Sequence, residues 1–319
     1  VDRMIVTLTA NPSLDRTVEL AAPLQVGGVQ VARGAREDAG GKGINVSRVC
    51  AASDVPTLAL LPLAADDPFA VALQATGIAA VTVPVAGHAR ANITITDPVG
   101  ETTKVNLRGA ALSDTERAAV VDAVVGSCEG AQWLVLAGSL PPGVPEDFYV
   151  EVIDAVRRRW ADAAPRIAVD TSGPALTAVV ERGRPDLIKP NEHELADLAG
   201  IALDPEADLV TAVLPVARRL VPQHVGAALV TLGGDGAVLV TADGAWAGRP
   251  PRIRVHSTVG AGDSSLAGYL IADARGAEPA ERLRSSIRYG AAAASLPGTQ
   301  APRPSDLPAG DVPVRSIHD

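Results

Sequence analysis

Ser257-Thr258-Val259-Gly260-Ala261-Gly262-Asp263, running into Ser264-Ser265-Leu266-Ala267-Gly268-Tyr269-Leu270, decides how this chain is read. Two glycines and an alanine open a helix, and an aspartate sits inside its first turn. Backbone N–H groups at a helix start are unpaired and carry partial positive charge, so they bind phosphate oxygens. The same field favours an ionised carboxylate. An anion hole with a base beside it is what phosphoryl transfer to a hydroxyl requires. Taken alone, the same residues also describe nothing more than a glycine-started helix with Asp263 on its dipole.

Around that helix the pattern is βα alternation. From residue 113 on, the sequence predicts helices over 113–125, 146–160, 173–180, 192–198, 207–220, 261–275 and 279–295. Between them it predicts strands over 133–137, 167–170, 187–188, 227–231, 237–241 and 245–248. Ser113 with Glu116 forms a capping box. Upstream, strands over 5–9, 58–61 and 81–85 alternate with helices over 44–52 and 68–75. Such alternation gives an α/β fold, a mostly parallel sheet with helices on both faces. Strands over 16–20, 29–33, 91–96 and 102–107 lack intervening helices. They are expected to form a small antiparallel β-sheet from 11–35 and 88–110, a lid over the ends of the parallel strands. The core is then 1–10, 36–87 and 111–319, with the Pro-rich tail 297–319 packing only in part.

Composition excludes several function classes. Net charge is −9 and aromatic residues are 3% of the 319, which argues against a nucleic-acid backbone and against base-stacking platforms. No uninterrupted apolar run of roughly 18 residues marks a membrane span, and the start of the chain lacks a signal-peptide apolar region. Cys50 and Cys128 have no metal or redox spacing, which suits buried thiols in a reducing cytoplasm. The five histidines (His88, His193, His224, His256, His318) are scattered. No Gly-x-x-x-x-Gly-Lys-Ser/Thr, His-Glu-x-x-His or Gly-x-Ser-x-Gly occurs. Lysine is scarce: Lys42, Lys104 and Lys189 are the three among 28 basic residues. Two of them sit beside motif-like sequence, where a compact charge could meet a phosphate.

Gly40-Gly41-Lys42-Gly43-Ile44-Asn45 precedes a helix. Its glycines allow close backbone approach to a ligand, and Asn45 offers donor and acceptor to a sugar hydroxyl. Lys189-Pro190-Asn191-Glu192-His193-Glu194 ends a strand and starts a helix. Asn191 and Glu194 suit a capping box, and equally the water shell of Mg²⁺, which prefers oxygen ligands. Asp15, in Asn11-Pro12-Ser13-Leu14-Asp15, follows a strand's carboxyl edge, where α/β folds place ligands.

Together these stretches resemble the ribokinase-like (PfkB) carbohydrate kinases, over nearly the whole chain. Thr7 to Asp15, Arg90-Ala91-Asn92-Ile93, Thr102 to Asn106 and Gly138-Ser139-Leu140-Pro141-Pro142-Gly143 resemble the branch acting on phosphosugars. The resemblance implies a ribokinase-like three-layer sandwich with the small sheet as lid and as the surface of a homodimer. It implies ATP as phosphoryl donor, Mg²⁺, and a ketohexose phosphate as acceptor. Fructose 1-phosphate, giving fructose 1,6-bisphosphate, is expected first, with tagatose 6-phosphate and fructose 6-phosphate as alternatives; a non-catalytic sugar-phosphate sensor is the alternative of another class.

The implied roles follow matching positions. Asp263 is the base, and the amides of Gly260, Ala261 and Gly262 hold the transferring phosphoryl group. Asp15, Gly40, Gly41, Lys42 and Asn45 position the sugar. Arg90, with Lys104, Ser139 and more weakly Arg33, meets the phosphate already on the acceptor. Lys189, Asn191, Thr231, Gly233, Gly236 and Thr258 line the ATP site, and Glu194 with Asn191 holds Mg²⁺ through water. Ala291, in Tyr289-Gly290-Ala291-Ala292, stands where many relatives place an asparagine near adenine, so no polar adenine contact is implied there.

Overall fold

The computed structural model describes residues 4–204 and 207–317; the first three residues of the expected core and His318 lie outside the described residues. In chain order the elements are β1 (Ile5–Thr9), β2 (Ser13–Leu20), β3 (Ala32–Gly40), α1 (Lys42–Ala52), β4 (Thr57–Leu63), α2 (Phe69–Ala75), β5 (Ala80–Pro84), β6 (Arg90–Thr96) and β7 (Thr102–Asn106). Then come α3 (Asp114–Ser127), β8 (Trp133–Ala137), α4 (Phe148–Trp160), β9 (Arg166–Asp170), α5 (Gly173–Ala178), β10 (Leu187–Ile188), α6 (Glu192–Ala199) and α7 (Leu209–Leu220). The chain ends with β11 (Ala227–Thr231), β12 (Ala237–Thr241), β13 (Gly244–Gly248), α8 (Ala261–Ala274), α9 (Pro279–Ala294) and β14 (Val314–Ile317).

Ten strands form one sheet in the order β14-β13-β12-β11-β10-β9-β8-β1-β4-β5. From β5 to β11 neighbours run parallel; β12, β13 and β14 are antiparallel additions at one edge. Both faces are covered, so the parallel strands are near-continuous apolar runs. In β1, Ile5 faces a cluster containing Val46, Leu266, Leu270 and Ile287 from α1, α8 and α9. Its neighbour Val6 faces the opposite cluster, with Val120, Phe148 and Ile153 from α3 and α4. That period-two alternation with two buried faces produces the helix–sheet–helix sandwich. Among the described residues no helix is long and apolar enough to cross a membrane.

The second sheet has the order β3-β2-β6-β7. Its two hairpins are antiparallel, but β2 and β6 pair in parallel, where an antiparallel join was expected. A parallel pair needs a long connection rather than a tight turn; here it is the excursion through β3, α1, β4, α2 and β5. The strand expected over 29–33 is instead β3, which runs through Gly40, past the boundary expected at 35. The charged stretch Arg36-Glu37-Asp38 lacks apolar alternation, yet pairing with β2 holds it extended. The helix expected over 173–180 ends at Ala178 and continues as a π-helical turn, Val179–Gly183. The tail is better anchored than its prolines suggest. Val312 is buried, Leu307 packs on the core, and β14 adds a strand beside β13.

Candidate active site

The carboxyl ends of the parallel strands converge on one edge. Thr9 of β1, Ala137 of β8 and Asp170 of β9 stand in register there. Lys189 follows β10, and Thr231 ends β11 in a bridge with Asn191. α1 starts against this edge. Its Ile44 amide donates to the Thr9 hydroxyl at 3.0 Å. A Cβ on Gly43 would stand 2.9 Å from the Leu8 carbonyl oxygen, so glycine there lets the helix lie on β1. Gly41 joins β3 to α1 at φ 129°, a conformation L side chains rarely adopt.

α8 brings Asp263 to the same edge. Gly260 turns at φ 77° and the helix begins at Ala261. The Ala261 amide closes a long 3.3 Å turn bond to the Thr258 carbonyl, while Thr258 itself is exposed. Asp263 is 6% exposed and accepts a 2.8 Å hydrogen bond from Asn45 Nδ2. Asn45 Oδ1 is buried without a protein partner. Burial pushes the Asp263 carboxyl above the usual aspartate range. Lys42, the Asn45 amide and Lys189 pull it down, and Asp170 pushes it further up. A carboxylate poised this way is a better proton acceptor than an ordinary surface aspartate.

The two lysines singled out by their scarcity meet here. Lys42 Nζ donates to Asp170 Oδ1 at 2.8 Å, and Lys189 Nζ lies 3.4 Å from Asp170 Oδ2. Burial works against the Lys42 ammonium, but Asp170 and Asp263 outweigh it and hold its pKa above the usual lysine value. Lys189 Nζ also stands 3.3 Å from where a Cβ on Gly262 would be. Any side chain at Gly262 would thus crowd the ammonium beside the helix start. Sequence reasoning missed Asp170. Its signal was the one that marked Asp15, an acid at a parallel strand's carboxyl end.

The small sheet supplies the facing wall. Its pairing puts Ser13, Gly40 and Arg90 in one row, then Asp15, Asp38, Asn92 and Asn106, then Thr17, Arg36, Thr94 and Lys104, all on one face. Asp15 Oδ1 accepts from Ser13 Oγ and Asn92 Nδ2, both at 2.9 Å. Burial raises its pKa, with Ser13, Asn92 and Arg90 opposing. A Cβ at Gly40 would overlap the Asp15 carboxylate. Arg90 Nε and Asn92 Oδ1 are buried without protein partners, as polar atoms awaiting a ligand would be. Ser139 Oγ accepts from Asn11 Nδ2 at 3.2 Å, holding the loop after β8 close to β2. Asn92 and Asn11 were not among the expected site residues; Asn92 was legible as the strand neighbour two positions from Arg90.

Other expected residues fall further out. Lys104 shares the Asp15 face but is exposed, two rows beyond Arg90. Arg33 lies at the β2–β3 bulge by Glu19 and Leu20, at the far end of the small sheet, and the structure does not bring it to the site. Asn191 and Glu194 form the capping box of α6: Asn191 Oδ1 accepts from the Glu194 amide at 2.8 Å, and Glu194 Oε2 from the Asn191 amide at 2.9 Å. Gly233 opens the turn after β11 at φ 54°. Gly236 closes it at φ 104°, where a Cβ would overlap the Gly248 carbonyl.

Comparison with known proteins places nearly the whole chain in one family. The pfkB family carbohydrate kinase pattern matches residues 9–306. The chain is 34% identical to a 1-phosphofructokinase of Xanthomonas campestris pv. campestris, over 88% of this chain and 89% of that one. It is 34% identical to the 1-phosphofructokinase of Rhodobacter capsulatus, over 96% and 95%. Among solved structures, Escherichia coli phosphofructokinase-2 in complex with substrates and products superposes with a TM-score of 0.84 at 30% identity, covering 95% of this chain and 96% of that one.

Proposed function

Since this chain belongs to the pfkB family of carbohydrate kinases, and is an ATP-dependent sugar-phosphate kinase, we propose that it converts fructose 1-phosphate to fructose 1,6-bisphosphate. The observation that carries the chemistry is the buried Asp263 carboxylate at the start of α8, hydrogen-bonded by Asn45 and facing the lysines across the strand edge. The choice of acceptor is supported by the relatives named 1-phosphofructokinase that span most of the chain.

In this reading the acceptor lies between the small sheet and α1. Asp15, the Gly40-Gly41 backbone and Asn45 orient its hydroxyls. The unpartnered Arg90 Nε, with Ser139, meets its phosphate, and Lys104 reaches in from the strand beyond. Asp263 takes the proton from the C6 hydroxyl as that oxygen bonds to the γ-phosphorus. The bond from the γ-phosphorus to the β,γ-bridging oxygen breaks, and ADP leaves with the electron pair. The amides of Gly260, Ala261 and Gly262 hold the developing charge, with Lys42 and Lys189 at its sides. Thr231, Gly233, Gly236, Thr258 and Asn191 line the nucleotide side.

Mg²⁺ would be carried in on the nucleotide phosphates. Among the described residues no group of three or more His, Cys, Asp or Glu could hold a metal. Mg²⁺ keeps its waters readily, and Glu194 and Asn191, partly engaged as helix caps, would hold that water shell. Bound there it would neutralise charge on the phosphates. A second copy of the chain would cover the small sheet's other face, where Val18, Ile93, Ile95 and Val105 line up around the Arg16–Glu37 ion pair. Val26, Val29 and Val31 of the adjoining segment are exposed. Exposed apolar side chains set among polar ones mark an interface.

ADP release measured with fructose 1-phosphate, fructose 6-phosphate and tagatose 6-phosphate tests the assignment. The first should give the highest kcat/KM. A preference for either 6-phosphate would move the assignment to that sugar, and no turnover with any of them would end it. Arg90→Ala should raise the sugar-phosphate KM while changing the ATP KM little; an unchanged sugar-phosphate KM removes Arg90 from the phosphate site.

A further inference from the structure

We propose that Asp170 is a positioning residue for phosphoryl transfer: one buried carboxylate that holds Lys42 and Lys189 on either side of the transferring group. The inference deepens the functional reading above and rests on it. Asp170 ends β9 with no exposed surface, and its two oxygens face two different lysines, at 2.8 and 3.4 Å. Lys42 comes from the first turn of α1 and Lys189 from the segment after β10, so the carboxylate ties elements from two separate stretches of chain. Its backbone is fixed too, since the Asp170 carbonyl accepts from the Gly138 amide at 2.9 Å.

A structural ion pair needs one lysine per carboxylate. Two ammonium groups on one carboxylate leave a surplus positive charge at the strand edge. Asp263 offsets it only while ionised, and it is the group that takes up the proton. Lys189 is 3% exposed, so the surplus that appears once Asp263 takes up the proton is costly unless an anion is present. Lys189 Nζ lies at the start of α8, beside Gly262. A cationic pair beside helix amides, with Lys189 buried and Lys42 part-exposed, suits a phosphoryl group that spreads negative charge over three oxygens. Asp170 itself never touches it. Its contribution is that neither flexible lysine stem has to be ordered during the reaction.

A double-variant cycle tests this. Asp170→Asn keeps the shape and removes the charge; it should lower kcat on the order of 10²-fold, with either KM changed less than about threefold. Lys42→Met should do similar damage, and the double variant should be hardly worse than the poorer single one, because the carboxylate acts through the lysines. Losses that multiply would overturn the inference. If Asp170→Asn does not fold, Asp170→Asn with Lys189→Met removes one charge of each sign, and the same comparison is made against Lys189→Met.

A second readout is independent of the acceptor. With three lysines in the chain, ¹³Cε-lysine labelling gives three resonances, and Lys104→Arg assigns the exposed one. In the Asp170 variant that folds, every remaining resonance of Lys42 and Lys189 should move while that of Lys104 stays. Unmoved resonances overturn the inference even in an active enzyme. Turnover absent with all three sugars, but with the resonances moved, would sink the substrate assignment and leave the role of Asp170 standing.

Discussion

At the scale of single residues, the site depends on a carboxylate whose proton affinity is raised by burial and trimmed by neighbours. Asp263→Asn should lower kcat by about 10²- to 10⁴-fold with ATP still bound, as removal of a general base does; near-normal turnover would dismiss Asp263 as the base. Because the Asp263 pKa is raised, the protonated, inactive form persists to higher pH than for an ordinary aspartate. Activity therefore falls on the acid side at a pH above the usual aspartate value. Asn45→Ala removes a hydrogen bond that favours the ionised form. Its acid limb in a kcat–pH profile should move further upward, and a limb that stays put would mean Asn45 does not tune Asp263. Asp263 stood out in the sequence because glycines and a helix start flanked it. Asp170 carried only the signal of an acid that ends a strand, since its significance lies in two lysines 128 and 19 positions away, a proximity created by the folded sheet.

At the scale of elements, α8 is gripped at both ends. Near its carboxyl end Asp273 is buried. It accepts from Trp133 Nε1 of β8 at 2.8 Å and pairs with Arg282 of α9 at 2.9 Å and with Arg166 of β9. This anchor lies at the opposite end of the strands from the site and fixes the direction in which the helix start points. Asp273→Ala strands one indole donor and two guanidinium groups. It should cost about 2–4 kcal/mol, less than for a wholly buried cluster because the arginines reach solvent. Chemical denaturation would measure it; an unchanged midpoint would show the cluster to be ornamental. Elements with local signals were legible in advance: the capping boxes of α3 and α6, and the apolar β1, β8 and β11. β3 was not, because Arg36-Glu37-Asp38 carries no pattern of its own and is strand only through its pairing with β2. β14 was hidden likewise, four residues in a proline-rich tail that extend only because β13 offers an open edge.

At the scale of the whole molecule, the small sheet has a polar face toward the site and a more apolar face away from it, crossed by the Arg16–Glu37 ion pair. If a second copy covers the apolar face, Val29→Asp with Val31→Asp should turn a dimer into a monomer in sedimentation velocity, and a dimer that persists would place the contact elsewhere. The three-layer core was readable from alternation alone. The wall of the site was harder, since it is assembled from two stretches about 50 residues apart that meet only in the parallel pairing of β2 with β6. One connection in that wall has a mechanical corollary. β3 ends at Gly40 and α1 begins at Lys42, so a single peptide unit at Gly41 separates the wall from the helix that presents Asn45 to Asp263. There is no slack in such a joint. A swing of the wall toward an incoming sugar would therefore carry the first turn of that helix with it, and Asn45 along with its hold on Asp263.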